Sequence, residues 1–387
     1  MTINFDQLPD RRSTESLKWH YFDSDVLPMW VADMDFRSPE PVIDALRQRV
    51  EHGVFGYPIP PDSFFELIIE RMDRLHHWKI TREDIALVPG IVTGFNMVCH
   101  AMAGPAGTQT GVLIQTPVYP PFLSAHKPAG LLDQQMELTR AEDGSYSINY
   151  QAFEAAITSA TRLFILSNPH NPIGRVFRHD ELQRMADICL RHNVVICADE
   201  IHSDLIYPGF HHIPMAALSP EVAQQTITFI APSKTFNIAG LECSVAIIQN
   251  PDLRRRFEKA RMGMVHGINA LGLVAGEAAY RYGQPWLDEL LVYLQSNRDY
   301  LFDFVQKNLP GVRMNLPEST YLAWLDCREA NLPVAPCEFF LREARVGVND
   351  GATFGKGGEG FVRLNFGCPR SMLQEALERM SAALKKR

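Results

Sequence analysis

Short apolar runs rich in β-branched residues alternate with helix-like stretches through the middle of this 387-residue chain. Strands that alternate with helices are typical of a largely parallel sheet covered by helices on both faces. The chain is therefore predicted to be an α/β protein with a mostly parallel sheet between helices. The strand-like runs are residues 85–88, 112–114, 163–166, 194–196, 226–230 and 245–248.

The alternating pattern ends near residue 283, where a long helical stretch at 286–309 begins. Fewer and mixed elements follow it. We predict a large domain over residues 45–283 and a smaller α+β domain built from residues 1–44 and 284–387. The elements predicted after the long helix are strands at 321–325 and 361–364, a helix near 338–343 and a helix from Ser371.

An amphipathic helix is predicted over residues 39–52, leading into the large domain. Ser38 is a candidate cap for it, Pro39 fits its first position, and Gly53 ends it.

Bulk composition narrows the partners that this chain can have. The formal net charge is −8, from 37 basic and 45 acidic residues, which argues against nucleic acid or an anionic membrane as the main partner. No apolar run approaches the roughly 20 residues that span a bilayer, and the amino terminus lacks a signal-peptide pattern, so we expect a cytoplasmic protein. The seven cysteines are scattered without a CxxC pair, which favours reduced, buried thiols over disulfides or a zinc site, and no metal is predicted.

Three polar clusters follow the ends of strand-like runs. They are residues 167–174, Ser-Asn-Pro-His-Asn-Pro-Ile-Gly; residues 197–204, Cys-Ala-Asp-Glu-Ile-His-Ser-Asp; and residues 231–237, Ala-Pro-Ser-Lys-Thr-Phe-Asn. Ligands of open α/β sheets collect beyond the carboxyl ends of the strands. The three clusters are therefore predicted to bring an amide, an acid and an amine into one crevice.

Lys234 and Asp199 are the central pair of this crevice. Pyridoxal phosphate chemistry needs a lysine to hold the aldehyde as a Schiff base and a carboxylate to keep the pyridine nitrogen protonated. Lys234 is the candidate amine and Asp199 the candidate carboxylate, with Glu200 the weaker choice because it would point to the other side of an extended backbone. Alternatively, Lys234 is an exposed surface lysine and Asp199 caps a helix.

The phenolic oxygen and the phosphate of such a cofactor also have candidate partners. Asn171, and His202 three residues after Asp199, could donate to the oxygen, although Asn-Pro pairs also mark ordinary turns. Helix starts favour anions, and Gly90, Ile91 and Val92 lie between a predicted strand and a helix. A tight turn would use glycine too. Ser233 adds a hydroxyl beside the lysine.

Tyr119 and Arg363 complete the set of candidates. Tyr119 could stack on the cofactor ring or serve as a core aromatic. Arg363 lies inside a strand-like run, where a permanent charge is costly unless it pairs with a carboxylate. That carboxylate is either part of a substrate or an acidic side chain of the protein in an internal salt bridge.

In this order, the motifs Asn-Pro-His-Asn-Pro-Ile-Gly, Ala-Asp-Glu-Ile-His-Ser-Asp, Ser-Lys-Thr-Phe-Asn-Ile-Ala-Gly and Arg-Leu-Asn-Phe-Gly resemble the fold-type I, class I/II aminotransferase superfamily of pyridoxal phosphate enzymes. The resemblance spans nearly the whole chain. Residues 29–36, Met-Trp-Val-Ala-Asp-Met-Asp-Phe, narrow it to the MalY/PatB branch of cystathionine β-lyases and cysteine C–S lyases. Ordinary transaminases usually carry tyrosine where His202 stands, which favours the lyase branch.

The resemblance implies a role for each candidate residue. Lys234 would carry the Schiff base, Asp199 would pair with the pyridinium, Tyr119 would stack on the ring, and Arg363 would bind the substrate α-carboxylate, with Ala32 beside the substrate. The remaining cofactor contacts would be Asn171 at the phenolic oxygen, Gly90, Ile91, Val92 and Ser233 at the phosphate, and Tyr57 at the phosphate of the neighbouring subunit in a homodimer. His202 would be a further cofactor contact, and Asn171 would also contact the substrate.

The implied reaction is α,β-elimination from L-cystathionine and related S-substituted L-cysteines. Lys234 removes the Cα proton, a thiolate leaves Cβ, and pyruvate and ammonia follow, with homocysteine as the thiol from cystathionine. The residues leave two alternatives open. The chain could be an aminotransferase that uses the same carbanion, or a regulator-binding protein with a vestigial site.

Overall fold

A seven-stranded sheet runs through residues 85–247 of the computed structural model, which describes residues 3–105 and 107–386. The strands are β1 (Leu27–Pro28), β2 (Ile85–Val88), β3 (Gly111–Thr116), β4 (Leu132–Glu137), β5 (Thr139–Arg140), β6 (Tyr146–Ser147), β7 (Thr161–Ser167), β8 (Val195–Asp199), β9 (Thr226–Ile230), β10 (Ser244–Ile247), β11 (Arg313–Met314), β12 (Leu322–Asp326), β13 (Val346–Gly347), β14 (Asn349–Asp350) and β15 (Phe361–Asn365).

Helices cover the sheet and link its strands. They are α1 (Leu17–His20), α2 (Glu40–Glu51), α3 (Asp62–His76), α4 (Ile91–Met102), α5 (Pro120–Ala129), α6 (Tyr150–Ala156), α7 (His179–Arg191), α8 (Pro220–Ala223), α9 (Pro232–Thr235), α10 (Pro251–Arg261), α11 (Ala270–Tyr282), α12 (Gln284–Asn308), α13 (Pro336–Phe339) and α14 (Arg370–Lys385). Among the helices of the described ranges, none combines the length and the apolar character that a membrane span requires.

The strand order of the large sheet is β2-β10-β9-β8-β7-β3-β4. Strand β10 is antiparallel to both of its neighbours, and the other neighbouring strands are parallel. All six predicted strands occur, within three residues at either end, and the predicted α/β fold class is confirmed. Asp199 at the end of β8 lies opposite Ser167 on β7 and Phe229 on β9, so the three polar clusters follow adjacent strands.

Successive residues of β7 pack against opposite layers of helices. Leu163 and Ile165 belong to the apolar cluster that contains Phe95 of α4, whereas Phe164 and Leu166 belong to the cluster that contains Leu182 of α7. A strand buried on both faces reads as a continuous apolar run, because side chains alternate between two dry surfaces. For this reason the central strands can be predicted from the sequence.

The edge strand β4 was not predicted from the sequence. Of its residues Leu132–Glu137, only Met136 is buried. A strand at the sheet edge packs little of its surface, so its sequence carries no apolar run and no clear alternation.

A second, antiparallel sheet has the order β11-β12-β15-β14 and comes from residues 313–365. The predicted strands at 321–325 and 361–364 correspond to β12 and β15, and the long predicted helix corresponds to α12. The amino-terminal segment joins this part of the chain through β1, which pairs in parallel with β13. The division into residues 45–283 and residues 1–44 with 284–387 stays a prediction.

The predicted cap of helix α2 is wrong. Pro39, not Ser38, precedes the first helical residue, Glu40, and no side chain in the described part of the chain caps the helix. The Ser38 hydroxyl instead donates to the backbone oxygen of Asn237, 3.1 Å away. The Ser38 hydroxyl therefore bonds to a distant loop and not to the helix start that follows it in the sequence.

Candidate active site

Lys234 lies in the short helix α9, directly after β9. The residue is partly buried, and its Nζ donates a hydrogen bond to the backbone oxygen of Ala32 at 2.7 Å. Burial lowers the pKa of the amine to about 8, and the charge of Arg363 acts in the same direction, while Asp33 and Asp199 oppose the shift. Lys234 is thus an enclosed amine rather than a surface lysine.

Asp199 is the last residue of β8 and is 6% exposed. Burial raises the pKa of its carboxyl to about 7, although a hydrogen bond from the Ile201 N–H and the charge of Lys234 lower it. The Ile201 nitrogen lies 3.1 Å from Asp199 Oδ1. Turn residues follow Asp199, so it does not cap a helix. A cationic ring nitrogen beside this carboxylate would compensate the cost of its burial.

Glu200 points away from Asp199, as expected for the next residue of an extended backbone. Its carboxylate pairs with His212 Nε2 at 2.9 Å and accepts from the Met215 N–H at 2.9 Å. This buried carboxylate is fully engaged in a structural cluster.

Arg363 is 4% exposed on β15 and has uncharged partners. Its Nη1 donates to Asn171 Oδ1 at 2.9 Å, and its Nη2 donates to Asn349 Oδ1 at 2.7 Å. Within residues 3–105 and 107–386 its buried Nε has no partner, and no side-chain carboxylate pairs with it. Burial lowers the pKa of the guanidinium to about 10. A buried cation without a counter-ion is costly, so the site suits an anionic ligand.

Asn171 and Tyr119 join the loops that follow β7 and β3. The Tyr119 N–H donates to the Asn171 backbone oxygen at 3.1 Å. Because Asn171 Oδ1 accepts from Arg363, its Nδ2 is the atom left to donate. Burial raises the pKa of the Tyr119 hydroxyl. The charge of Arg363 lowers this pKa, and the charge of Asp199 raises it. Both residues therefore lie at the crevice that the sequence predicts.

His202 is buried against the ring of Tyr321. The two ring centroids are 6.3 Å apart in an edge-to-face arrangement. Burial lowers the pKa of His202 to about 3, with Lys234 and Arg363 acting in the same direction. Its Nδ1 is buried and has no partner among the described residues. His202 is therefore a neutral imidazole with hydrogen-bonding capacity to spare.

The predicted phosphate residues lie at the start of helix α4 and beside Lys234. Gly90 precedes α4 with a φ of 86°, a backbone conformation that favours glycine. Ile91 and Val92 form the first turn, whose N–H groups have no acceptor inside the helix. Ser233 is 8% exposed and directly precedes Lys234 in α9. Such N–H groups suit a phosphate.

Tyr57 does not join this enclosed group within one chain. Its side chain is fully exposed, and Phe55 and Ile59 on the same segment are 59% and 90% exposed.

Three residues of the site have no role in the sequence prediction: Tyr321, Asn349 and Asn365. The Tyr321 hydroxyl donates to the Ala32 oxygen at 3.0 Å, beside the bond from Lys234. Asn365 belongs to the motif Arg-Leu-Asn-Phe-Gly, and its place in that motif could have identified it as a site residue. Tyr321 and Asn349 carry no local signal, because only chain folding brings them to the site.

The residues fit pyridoxal phosphate. The enclosed Lys234 amine suits its aldehyde, the buried Asp199 suits a cationic ring nitrogen, and the start of α4 suits its phosphate. The Nε of Arg363, which has no partner among the described residues, leaves a donor for a carboxylate of the substrate.

Comparison with known proteins gives a consistent result. The family model for aminotransferase class I and II matches residues 24–380. Cystathionine beta-lyase PatB of Bacillus subtilis is 41% identical, with 99% of this chain and 100% of the relative covered. Cystalysin from Treponema denticola, whose crystal structure contains pyridoxal 5'-phosphate, superposes with a TM-score of 0.94 at 35% identity over 100% of both chains.

The pyridoxal-phosphate-bound C–S lyase from Staphylococcus hominis superposes with a TM-score of 0.92 at 32% identity, covering 99% of both chains. The resemblance described from the sequence motifs is thus confirmed. The chain belongs to the class I and II aminotransferase family.

Proposed function

We propose that this protein is a pyridoxal 5'-phosphate-dependent β-lyase for the carbon–sulfur bond of L-cystathionine and related S-substituted L-cysteines. The products are a thiol, which is homocysteine from cystathionine, together with pyruvate and ammonia. The observation that carries the proposal is the enclosed Lys234 amine, hydrogen-bonded to the Ala32 oxygen at 2.7 Å, with Asp199 and Arg363 near enough for their charges to act on its pKa. Full-length similarity to proteins described as C–S lyases favours elimination over other reactions of the family.

Each residue of the crevice has a task in this reaction. Pyridoxal phosphate, when bound, supplies an electron sink that makes the substrate Cα proton acidic. Lys234 would hold the cofactor, Asp199 would keep its ring nitrogen protonated, and Tyr119 would stack on the ring. Asn171 and His202 would donate to the phenolic oxygen, and Gly90, Ile91, Val92 and Ser233 would bind the phosphate.

Arg363 orients the substrate by its α-carboxylate. Two N–H groups of a guanidinium match the two oxygens of a carboxylate, and the buried Nε offers one that nothing else in the described chain uses. Ala32 lies beside the substrate. The amine of Lys234, once free, takes the Cα proton.

Elimination then follows from the position of the leaving group. The electron pair of the Cα–H bond forms the Cα–Cβ double bond as the Cβ–S bond breaks, and the thiolate leaves with the sulfur electron pair. Release of aminoacrylate and its hydrolysis give pyruvate and ammonia, so no external oxidant or reductant is required.

The family itself favours one second candidate, an aminotransferase of an L-amino acid, which shares removal of the Cα proton. Purified protein with L-cystathionine and no keto acid distinguishes the two. Thiol and pyruvate formed over many turnovers support the lyase. A single turnover that stops until a keto acid is added supports the aminotransferase and overturns the lyase proposal.

We also propose that the active form is a homodimer in which Tyr57 contacts the phosphate of the neighbouring subunit. Phe55, Tyr57 and Ile59 form an exposed apolar segment, and Met262 and Met264 are also exposed, at 78% and 55%. Exposed apolar side chains in such number are typical of an interface. The cytoplasm is the proposed location, in keeping with the free cysteines of the described chain.

A further inference from the structure

The amino-terminal strap, residues 30–36, passes between the catalytic lysine and β15 without forming a helix or strand. Its Ala32 carbonyl accepts two hydrogen bonds, from Lys234 Nζ at 2.7 Å and from the Tyr321 hydroxyl at 3.0 Å. Tyr321 is fully buried, and burial raises the pKa of its hydroxyl, so it remains a donor. One backbone oxygen therefore meets both side chains.

Asn365 holds the carbonyls on either side of Ala32. Its Nδ2 donates to the oxygens of Val31 and Asp33, at 2.7 Å each. The Asp33 N–H also donates to the Val31 oxygen at 2.9 Å, which makes Ala32 the central residue of a γ-turn. The carbonyls of Val31 and Asp33 are thus engaged, and the Ala32 carbonyl is directed at Lys234.

Asn365 is itself fixed in orientation. It is fully buried on β15, two residues after Arg363, and its Oδ1 accepts from the Gly367 N–H at 2.8 Å. That bond determines which end of the amide is the donor. The strand that carries Arg363 therefore also aligns the acceptor of Lys234.

The bond to Ala32 has a consequence for a lysine that acts as a base. A neutral amine that donates one N–H to a fixed acceptor keeps its lone pair pointing elsewhere, whereas an unrestrained amine rotates freely about its terminal bond. Small losses of alignment between a base and its proton slow the transfer considerably.

We propose that Tyr321 and Asn365 are positioning residues for Lys234. They orient the Ala32 carbonyl, which directs the lysine amine toward the substrate Cα whenever that amine is free. This inference rests on the proposed function, because it requires Lys234 to be the base. Neither residue touches the Cα proton itself.

The first test follows exchange of the Cα proton of L-alanine for solvent deuterium by the holoenzyme, measured by NMR. L-Alanine has no leaving group, so exchange reports the base without elimination. Tyr321→Phe keeps the ring and is expected to slow exchange by about tenfold at equal cofactor content. Tyr207→Phe is the matched control, since Tyr207 is also buried and its hydroxyl donates to a backbone carbonyl, that of Thr320, at 2.6 Å. It is expected to exchange like wild type.

Equal exchange rates in Tyr321→Phe and wild type would overturn the positioning role. Wild type that exchanges L-alanine but releases no thiol from L-cystathionine would overturn the lyase proposal alone. Holoenzyme that exchanges nothing would overturn both.

The second test measures Lys234 without turnover. In the full chain stripped of cofactor, the pH profile of Lys234 acetylation is followed by peptide mass mapping. A carbonyl acceptor stabilises an ammonium more than an amine, so Asn365→Ala, which frees the strap, is expected to move the midpoint downward by about half a pH unit. Tyr207→Phe again serves as the control. An unchanged midpoint in folded Asn365→Ala would overturn the role of Asn365.

Discussion

Arg363 and Asn171 are hydrogen-bonded to each other, Nη1 to Oδ1 at 2.9 Å, although 192 residues separate them in the chain. The bond joins β15 of the small sheet to the loop that follows β7 of the large sheet. It fixes the amide of Asn171 with its oxygen toward the arginine. One contact thus orients a proposed cofactor residue and a proposed substrate residue together.

Replacing Arg363 with lysine tests the carboxylate role. Arg363→Lys keeps the charge but loses the planar fork, so kcat/KM for L-cystathionine is expected to fall, mainly through a higher KM. The loss should be roughly 2 to 4 kcal/mol if the pair is buried and bidentate. Steady-state thiol release measures it. Arg328→Lys is the matched control, because Arg328 forms a two-point pair with Asp326 and is half exposed. Unchanged kinetics in Arg363→Lys would refute the role.

Lys234→Ala is expected to lower elimination by about 10²- to 10⁴-fold, because the base is removed. Borohydride reduction followed by peptide mass mapping should place the cofactor on residue 234 in wild type and nowhere in the variant. Lys79→Ala, at an exposed lysine, should behave like wild type in both measurements. A label on another lysine of wild type would contradict the assignment.

Asp199→Asn should bind cofactor yet turn over at least about 100-fold more slowly, because a neutral amide no longer keeps the ring nitrogen protonated. The carbonyl of the amide still accepts from the Ile201 N–H. Thiol release at saturating cofactor measures the effect. Glu200→Gln provides the comparison at the next position, where the carboxylate pairs with His212, and should reduce stability more than turnover. Normal turnover in Asp199→Asn would disprove the assignment.

The same Asp199→Asn variant should change how stability depends on pH in the cofactor-free protein. Because the pKa of Asp199 is raised to about 7, the folded state keeps a proton that the unfolded state loses above about pH 4. The free energy of unfolding of wild type therefore falls as pH rises from 4 to 7, by up to roughly 4 kcal/mol from this group. Urea denaturation should show that the free energy of unfolding of the variant rises relative to that of wild type between pH 4 and pH 8. A constant difference would show that Asp199 titrates normally.

Tyr57 provides a test of the shared site. Tyr57→Ala should weaken cofactor binding by about 10- to 100-fold, the value of a hydrogen bond to a charged group. A hybrid dimer of Tyr57→Ala and Lys234→Ala chains should recover about half of wild-type activity, because one site receives Tyr57 from one chain and Lys234 from the other. A hybrid no more active than its parents would show that Tyr57 acts within its own chain.

Local sequence patterns are sufficient to predict the fold class and the ends of the strands that carry the site. Strands β7, β8 and β9 are buried on both faces, so each is a local apolar run followed by polar residues, and parallel pairing brings their ends together. The same locality explains the misplaced cap at Ser38, whose hydroxyl is taken by Asn237, and the missed edge strand β4.

The environment of each side chain, in contrast, is known from the folded structure alone. The sequence shows an arginine in a strand. That its side-chain partners among the described residues are amide oxygens depends on the loop after β7, which carries Asn171, and on β14, which carries Asn349. The lowered pKa of Lys234 likewise depends on burial under the amino-terminal strap, about 200 residues away in the chain. Tyr321 and Asn365 hydrogen-bond to backbone oxygens of that strap. Desolvation and hydrogen-bond direction are properties of the packed protein, and no local run of residues encodes them.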